Sequence, residues 1–166
     1  QIYNSMHRLF LILGGNVGDR QKILETAKSM IELRLGRIEV QSAVYQTEAW
    51  GFESSPFLNQ VVVVDTVLTS AKALDEVQAI ENELGRKRLG EGYQARTMDI
   101  DILFYDDCQI LTETLQIPHP RIASRRFVLV PLCEIAAQKK HPVTGLTVNE
   151  MLLQCSDTLE VKPVEM

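Results

Sequence analysis

The chain has 166 residues, 45% of them hydrophobic and 23% charged, and carries a net charge of −5. That length suits a single domain with a real core, and the balance is ordinary for a soluble globular protein. No apolar run approaches the ~20 residues of a membrane span, and the net acidity argues against wholesale nucleic-acid binding.

No charged leader with an apolar segment and a small-residue cleavage site opens the chain. Residues 1–7 read as an N-terminal extension or added remnant, and 8–166 as one domain. Cys108, Cys133 and Cys155 lie far apart with no CxxC spacing. This argues against a cysteine zinc site or a disulfide framework and points to a reducing cytoplasm.

Leu9 to Leu13 is a continuous apolar run that stops at Gly14-Gly15-Asn16-Val17-Gly18-Asp19. It reads as a buried strand entering a glycine turn. The turn has neither the Gly-Lys-Ser/Thr ending of a P-loop nor a Gly-x-Gly-x-x-Gly spacing, so it is expected to be structural. A helix follows with Ile23, Ala27, Met30 and Ile31 on one stripe and Gly36 at its C-terminal cap. Ile38, Val40, Ser42 and Val44 alternate as a second strand. Thr47 to Asn59 reads as a loop with three aromatics, suited to plugging the core or stacking on a flat ligand. Val61 to Val64 form a third, buried strand. Ser70 is the expected N-cap of a helix with Leu74, Val77, Ile80 and Leu84 inward and Gly85 at its end. Its Gln78 and Glu81 read as solvated polar residues, and 86–95 as a polar flap containing Gly90 and Gly92.

Arg96-Thr97-Met98-Asp99-Ile100-Asp101-Ile102-Leu103-Phe104-Tyr105 is the centre of the pattern. Met98, Ile100, Ile102 and Phe104 alternate with polar residues, a strand with its even positions in the core. Asp99 and Asp101 then share the opposite face, their Cα atoms roughly 6.6 Å apart. Asp is depleted in strands, and paired carboxylates repel. Either they flank a hard divalent cation such as Mg²⁺, or they are acids on an exposed face. Arg96 could add a planar fork of donors for phosphate. No Lys or Arg occurs from Ile38 through Ala71, whereas Arg86, Lys87, Arg88, Arg96, Arg121, Arg125 and Arg126 crowd a later region. Such local cations beside paired acids suggest a compact anionic ligand with a metal. Ile117-Pro118-His119-Pro120-Arg121 is extended, because proline disfavours helix at the residue before it. His119 there is either structural or a ligand contact. Helices over about 124–135 and from about Thr147 close the chain. The order β-α-β-β-α-β, followed by small strands and two helices, is an α+β, ferredoxin-like split βαβ arrangement. It predicts a mainly antiparallel sheet with helices packed on it.

The chain resembles the 6-hydroxymethyl-7,8-dihydropterin pyrophosphokinase family of folate biosynthesis. The likeness runs from about Leu9 to Leu153. Its anchors are Gly14 to Asp19, Tyr45-Gln46-Thr47, Phe57-Leu58-Asn59, Arg96 to Ile102 and Ile117 to Arg121. The resemblance implies ATP-dependent transfer of a pyrophosphoryl group to the pterin hydroxymethyl oxygen, with release of AMP. It implies two Mg²⁺ ions on Asp99 and Asp101, and a pterin site of Thr47, Ala49, Trp50, Phe57, Asn59 and Phe127. ATP contacts carry over to Gln78, Glu81, Arg86, Arg88, Arg96, Ile102, His119 and Arg125. Arg86, Arg88 and Arg96 are expected to join the two aspartates in catalysis. The implied protein is a cytoplasmic monomer that binds ATP and the pterin, and neither nucleic acid nor membrane. Tyr93-Gln94-Ala95 stands where many members carry Trp-Gly-Pro, and Phe57 replaces a frequent Tyr. A ferredoxin-like RNA-binding module fits the strand order, but its aromatics belong on the sheet and its face should be basic. A metal-dependent phosphodiesterase would need more ligands than Asp99, Asp101 and His119. A binding domain without catalysis is the third alternative.

Overall fold

The structure is a computed structural model that describes residues 5–48, 56–88 and 98–165, with the backbone alone over 86–88. Ala49, Trp50, Gly90, Gly92, Tyr93-Gln94-Ala95 and Arg96 lie outside the described residues, as do the side chains of Arg86 and Arg88.

The chain runs β1 (His7–Gly15), α1 (Arg20–Arg34), β2 (Arg37–Gln41), β3 (Tyr45–Thr47), β4 (Phe57–Thr66), α2 (Ser70–Arg88) and β5 (Asp99–Tyr105). It continues through a small hairpin, β6 (Ile110–Leu111) and β7 (Gln116–Ile117), and a 3-10 turn at Ile122–Ser124. α3 (Arg126–Ala136), α4 (Val148–Gln154) and β8 (Lys162–Pro163) complete it. The main sheet has the order β5-β1-β4-β3-β8, with β2 also paired to β4. Every pairing is antiparallel. β4 and β5 are joined through α2 with β1 inserted between them, which is the split βαβ arrangement.

Each face of the sheet carries its own core. On one side Leu9, Leu11, Leu13, Leu58, Val62 and Val64 meet the inward stripes of α1 and α2, including Leu24, Ile31, Val77 and Ile80. On the other side Phe10, Ile12, Val61 and Val63 meet Val128, Leu129 and Leu132 of α3 and Val148 and Met151 of α4. This period-2 division of β1 and β4 between two apolar layers explains their continuous apolar runs.

Several local expectations shift. His7 is already in the sheet, paired with Thr66, so the ordered domain starts before residue 8. Asp19 N-caps α1 by accepting from the Lys22 N–H, and Gly36 turns with φ +149°, its Cα against the Asp65 carbonyl. Thr69, not Ser70, caps α2, its Oγ1 accepting from the Lys72 N–H at 3.2 Å. α2 passes through Gly85 to Arg88, so residues 86–88 are helix rather than flap. Thr47 ends β3 and Phe57 to Asn59 open β4, so both ends of the expected aromatic loop belong to the sheet. The α3 helix starts at Arg126, two residues later than expected.

The largest difference lies in β5. Its pairing with β1 slips at Phe10/Leu11, so that Leu11 faces Ile102 while Phe10 faces Phe104. Leu103 is the extra residue of a β-bulge. Met98, Ile100 and Ile102 pack toward α1 and α2, but Phe104 packs with Phe10 on the α3 side. The even positions therefore share a face only as far as Ile102.

Candidate active site

β4 has 10 residues and spans about 33 Å at a strand's rise, whereas the 11 residues of α3 span only about 16 Å. α3 consequently leaves its side of the sheet uncovered beyond the helix N-terminus, where a cleft of about 290 Å³ opens among the described residues. Its floor comes from Ile12 and Gly14 of β1, Asn59 of β4, and Asp99 and Asp101 of β5. Thr47, Glu48 and Phe57 form one rim, and Arg125, Phe127 and Leu159 the other.

Strand register fixes these neighbours. Gly14 lies opposite Asn59 on one side and Asp99 on the other, while Ile12 faces Asp101. Tyr45 and Thr47 lie opposite Asn59 and Phe57. Gly14 allows a close approach: a Cβ there would stand 2.7 Å from the Asn59 Oδ1. Asn59 is 4% exposed and donates from Nδ2 to Thr47 Oγ1 at 3.3 Å. Its amide therefore offers both a donor and an acceptor at the bottom of an apolar slot. Phe57 is fixed from behind, because Arg20 Nη1 donates to the Pro56 carbonyl at 2.6 Å. Across the cleft the Arg125 guanidinium stands 5.6 Å from the centre of the Phe127 ring.

Asp99 and Asp101 are exposed at the open end of the sheet, and Ile100 between them is buried. β5 is supported along its outer edge. The Glu81 carboxylate, buried on α2, accepts from the Ile100 N–H at 2.8 Å, and the His119 N–H donates to the Leu103 carbonyl at 3.0 Å. Burial lowers the His119 pKa despite the opposing pull of Asp101, and the nearby arginines lower it further. The Arg121 N–H donates to His119 Nδ1, so the neutral ring carries its proton on Nε2.

Of the residues singled out from sequence, Thr47, Phe57, Asn59, Asp99, Asp101, Arg125 and Phe127 meet in the cleft. Gln78, Glu81, Ile102 and His119 do not line it. Gln78 is exposed on α2, Ile102 is in the core, and Glu81 is buried rather than solvated. Glu81, Ile102 and His119 instead gather around β5, with Glu81 and His119 bonded to its outer edge. Ile12, Gly14, Arg20 and Leu159 were not foreseen. They are ordinary residue types whose roles come from their neighbours.

No group of three or more His, Cys, Asp or Glu able to hold a metal ion occurs among the described residues. Two adjacent carboxylates beside a ligand-sized cleft are nonetheless the donor set that Mg²⁺ takes when substrate phosphates and water complete its octahedron. Asp99 and Asp101 fit that role.

Residues 10–137 match the model of the family described as 7,8-dihydro-6-hydroxymethylpterin-pyrophosphokinase. A 2-amino-4-hydroxy-6-hydroxymethyldihydropteridine pyrophosphokinase of Porphyromonas gingivalis is 42% identical over 132 residues, covering 77% of this chain and 90% of the relative. The Aquifex aeolicus protein of the same name is 40% identical over 139 residues, covering 83% and 86%. The folic acid synthesis protein of Pneumocystis carinii is 37% identical across 94% of this chain, which spans only 21% of that protein. Among solved structures, the fold matches wild-type Plasmodium falciparum HPPK-DHPS with a TM-score of 0.73 at 20% identity. That match covers 93% of this chain and 45% of the solved one.

Proposed function

The chain belongs to the 7,8-dihydro-6-hydroxymethylpterin-pyrophosphokinase family, and we propose that the cleft between β1, β4, β5 and α3 is where it performs the family's reaction. That reaction transfers pyrophosphate from ATP to the hydroxymethyl group of 6-hydroxymethyl-7,8-dihydropterin, releasing AMP, in folate biosynthesis. The observation that carries the site assignment is the convergence of Asn59, two phenylalanines and two carboxylates on one cleft.

A pterin is flat, with donors and acceptors around its edge. Phe57 and Phe127 on opposite rims offer faces for its rings, while Asn59 and Thr47 bind its edge. The hydroxymethyl group then points toward β5. Glu81, Ile102 and His119 outline the ATP side along the far edge of that strand, with the His119 Nε2–H as a neutral donor. Arg125 meets phosphate charge from the cleft rim. Arg86, Arg88 and Arg96 are proposed to close on the same charge, although they fall outside the described side chains. Two Mg²⁺ ions on Asp99 and Asp101 would neutralise the triphosphate when bound. The pterin hydroxyl oxygen bonds to the β-phosphorus as the bond from that phosphorus to the α,β-bridging oxygen breaks. AMP leaves, and the hydroxyl proton passes to solvent. Catalysis by this chain is thus positioning and charge neutralisation, with no side-chain nucleophile. The proposed protein is a cytoplasmic monomer that binds no nucleic acid and no membrane; three free cysteines fit a reducing compartment, and the excess of acids over bases disfavours nucleic acid.

Incubation with ATP, Mg²⁺ and 6-hydroxymethyl-7,8-dihydropterin should yield AMP in equal amount to pyrophosphorylated pterin, with neither formed when pterin or Mg²⁺ is omitted. Formation of ADP instead of AMP, or AMP release without pterin, would overturn the assignment.

A further inference from the structure

We propose that the C-terminal segment is a clasp on the cleft, in which Asp157 positions the strap and Leu159 is a selectivity-determining wall for the pterin. The proposal rests on the pterin assignment of the cleft, but the residues lie beyond 10–137, the span that matches the family model.

The strap crosses from one face of the sheet to the other. Cys155, just after α4, packs against the α3/α4 core, whereas Val164 packs against the α1/α2 core. Between them Cys155, Asp157, Leu159 and Val161 are partly buried, while Ser156, Thr158 and Glu160 are exposed, the period-2 pattern of an extended segment lying on a surface. Both ends are fastened. At the far end β8 pairs with Tyr45 and Gln46 of β3, and the Val164 N–H donates to the Val44 carbonyl at 2.8 Å. At the near end the Asp157 carboxylate accepts from the Arg126 N–H at 2.9 Å and from the Leu159 N–H at 3.0 Å. Arg126 lies between Arg125, the residue capping α3, and Phe127 in its first turn, both of which line the cleft. One carboxylate therefore holds the rim of the cleft and the turn that points Leu159 into it. Those two backbone bonds, the Arg126 bond foremost, keep the Asp157 carboxyl below its ordinary range, so the clasp is charged at neutral pH.

Among the described residues, Leu159 is the only one of the strap that lines the cleft, which it does together with Phe127. An isobutyl group there adds apolar contact for one side of a flat heterocycle and limits how bulky that side can be. Asp157 touches no substrate and acts through Leu159 and the α3 rim.

The test is calorimetric binding of 6-hydroxymethyl-7,8-dihydropterin and, separately, of a non-hydrolysable Mg-ATP analogue, with steady-state KM and kcat. Leu159→Ala should weaken pterin binding and raise its KM about tenfold, from the lost apolar contact, with ATP-analogue affinity and kcat within twofold. The same variant should gain relative affinity for a pterin carrying an added methyl group. Asp157→Ala should reproduce the pterin effect, and Asp157→Asn, which keeps one acceptor oxygen, should recover part of it. Leu159→Val removes a single methylene and should show the same pterin-selective loss at smaller size, which keeps the test usable if the alanine variant unfolds. Equal pterin affinity in wild type and Leu159→Ala overturns the clasp alone. Parallel losses for both ligands reduce it to a structural strap and also overturn it. Wild-type protein that binds no pterin refutes the assignment of the cleft, and the clasp with it.

Discussion

Gly14→Ala probes the cleft floor with the smallest possible change. An added Cβ would lie 2.7 Å from Asn59 Oδ1, where ordinary contact begins near 3.4 Å, so the amide must retreat by about 0.7 Å. The bond from Asn59 Nδ2 to Thr47 is already 3.3 Å long and breaks with such a shift. Its loss costs about 1 kcal/mol, while replacing a strand glycine returns about 0.5–1 kcal/mol of backbone entropy. Net stability should change by less than about 1 kcal/mol. Binding should suffer more, because a pterin edge that meets a displaced amide leaves buried polar groups unpaired. At about 1–3 kcal/mol for such a group, pterin affinity should fall about fivefold to 150-fold. Thermal melting and calorimetric titration of the pterin read the two quantities separately. The double variant with Asn59→Ala should bind no worse than Asn59→Ala alone, since both act through one amide. Wild-type affinity in Gly14→Ala would show that Asn59 is not the edge contact.

Asp99→Asn and Asp101→Asn should each lower AMP production by about a hundredfold or more, with a thermal midpoint within about 2 °C of wild type. Near-normal turnover at saturating Mg²⁺ would remove them from the site. Glu81→Ala strips the acceptor from the buried Ile100 N–H and should cost about 2 kcal/mol in urea unfolding, with most of it restored by Glu81→Gln. Unchanged stability with lost ATP binding would make Glu81 a nucleotide contact instead. Tyr45 is pushed up to about 12 by burial and by its hydrogen bond to Glu134. The ultraviolet titration step removed by Tyr45→Phe should therefore fall near 12. Because the folded value exceeds the unfolded one, this contribution to stability is complete below about pH 10 and lost as pH rises through about 12. A step near pH 10 would mean that the Glu134 contact does not persist in solution.

The sheet was legible in the sequence wherever burial repeats with a fixed period, and illegible where the period breaks. Alternation through Met98, Ile100 and Ile102 puts Asp99 and Asp101 together on the cleft side. It cannot encode the bulge at Leu103, which is set by pairing with β1, so Phe104 lands on the other face. Glu81 shows the opposite error. Val77, Glu81 and Gly85 fall on one stripe of α2 at i, i+4 and i+8, so position alone marks Glu81 as inward, and its residue type suggested solvent. Asp99 and Asp101 stood out because acids are unusual in strands, whereas Asn59, read as the end of a loop, was marked only by the family resemblance. Gly14 and Leu159 could not, since a strand glycine and a tail leucine gain meaning only from the Asn59 amide and the Asp157 bond.

The bulge also explains how one strand tolerates paired acids. With the Cα spacing of roughly 6.6 Å taken as the charge separation, the two carboxylates repel by only about 0.6 kcal/mol in water, but by roughly 2.5 kcal/mol at an effective dielectric of 20. The acids therefore belong on the half of the sheet that α3 leaves uncovered, and Asp99 and Asp101 occupy its first rows, beside Gly14 and Ile12. Two residues later the same face enters the α3/α4 core and needs apolar bulk. The extra residue at Leu103 supplies it, because Leu103 and Phe104 both join that core while Tyr105 crosses to the other. Covering the cleft with a flat ligand would move the carboxylates toward the lower dielectric and raise their mutual repulsion. Cation affinity at Asp99 and Asp101 should then rise when pterin binds. By linkage, pterin affinity must rise by the same factor when the cation binds first, and it should also rise when Mg²⁺ is brought by an ATP analogue. A titration of pterin with and without that analogue measures the rise, and equal affinities would mean that the acids stay fully solvated under the bound ligand.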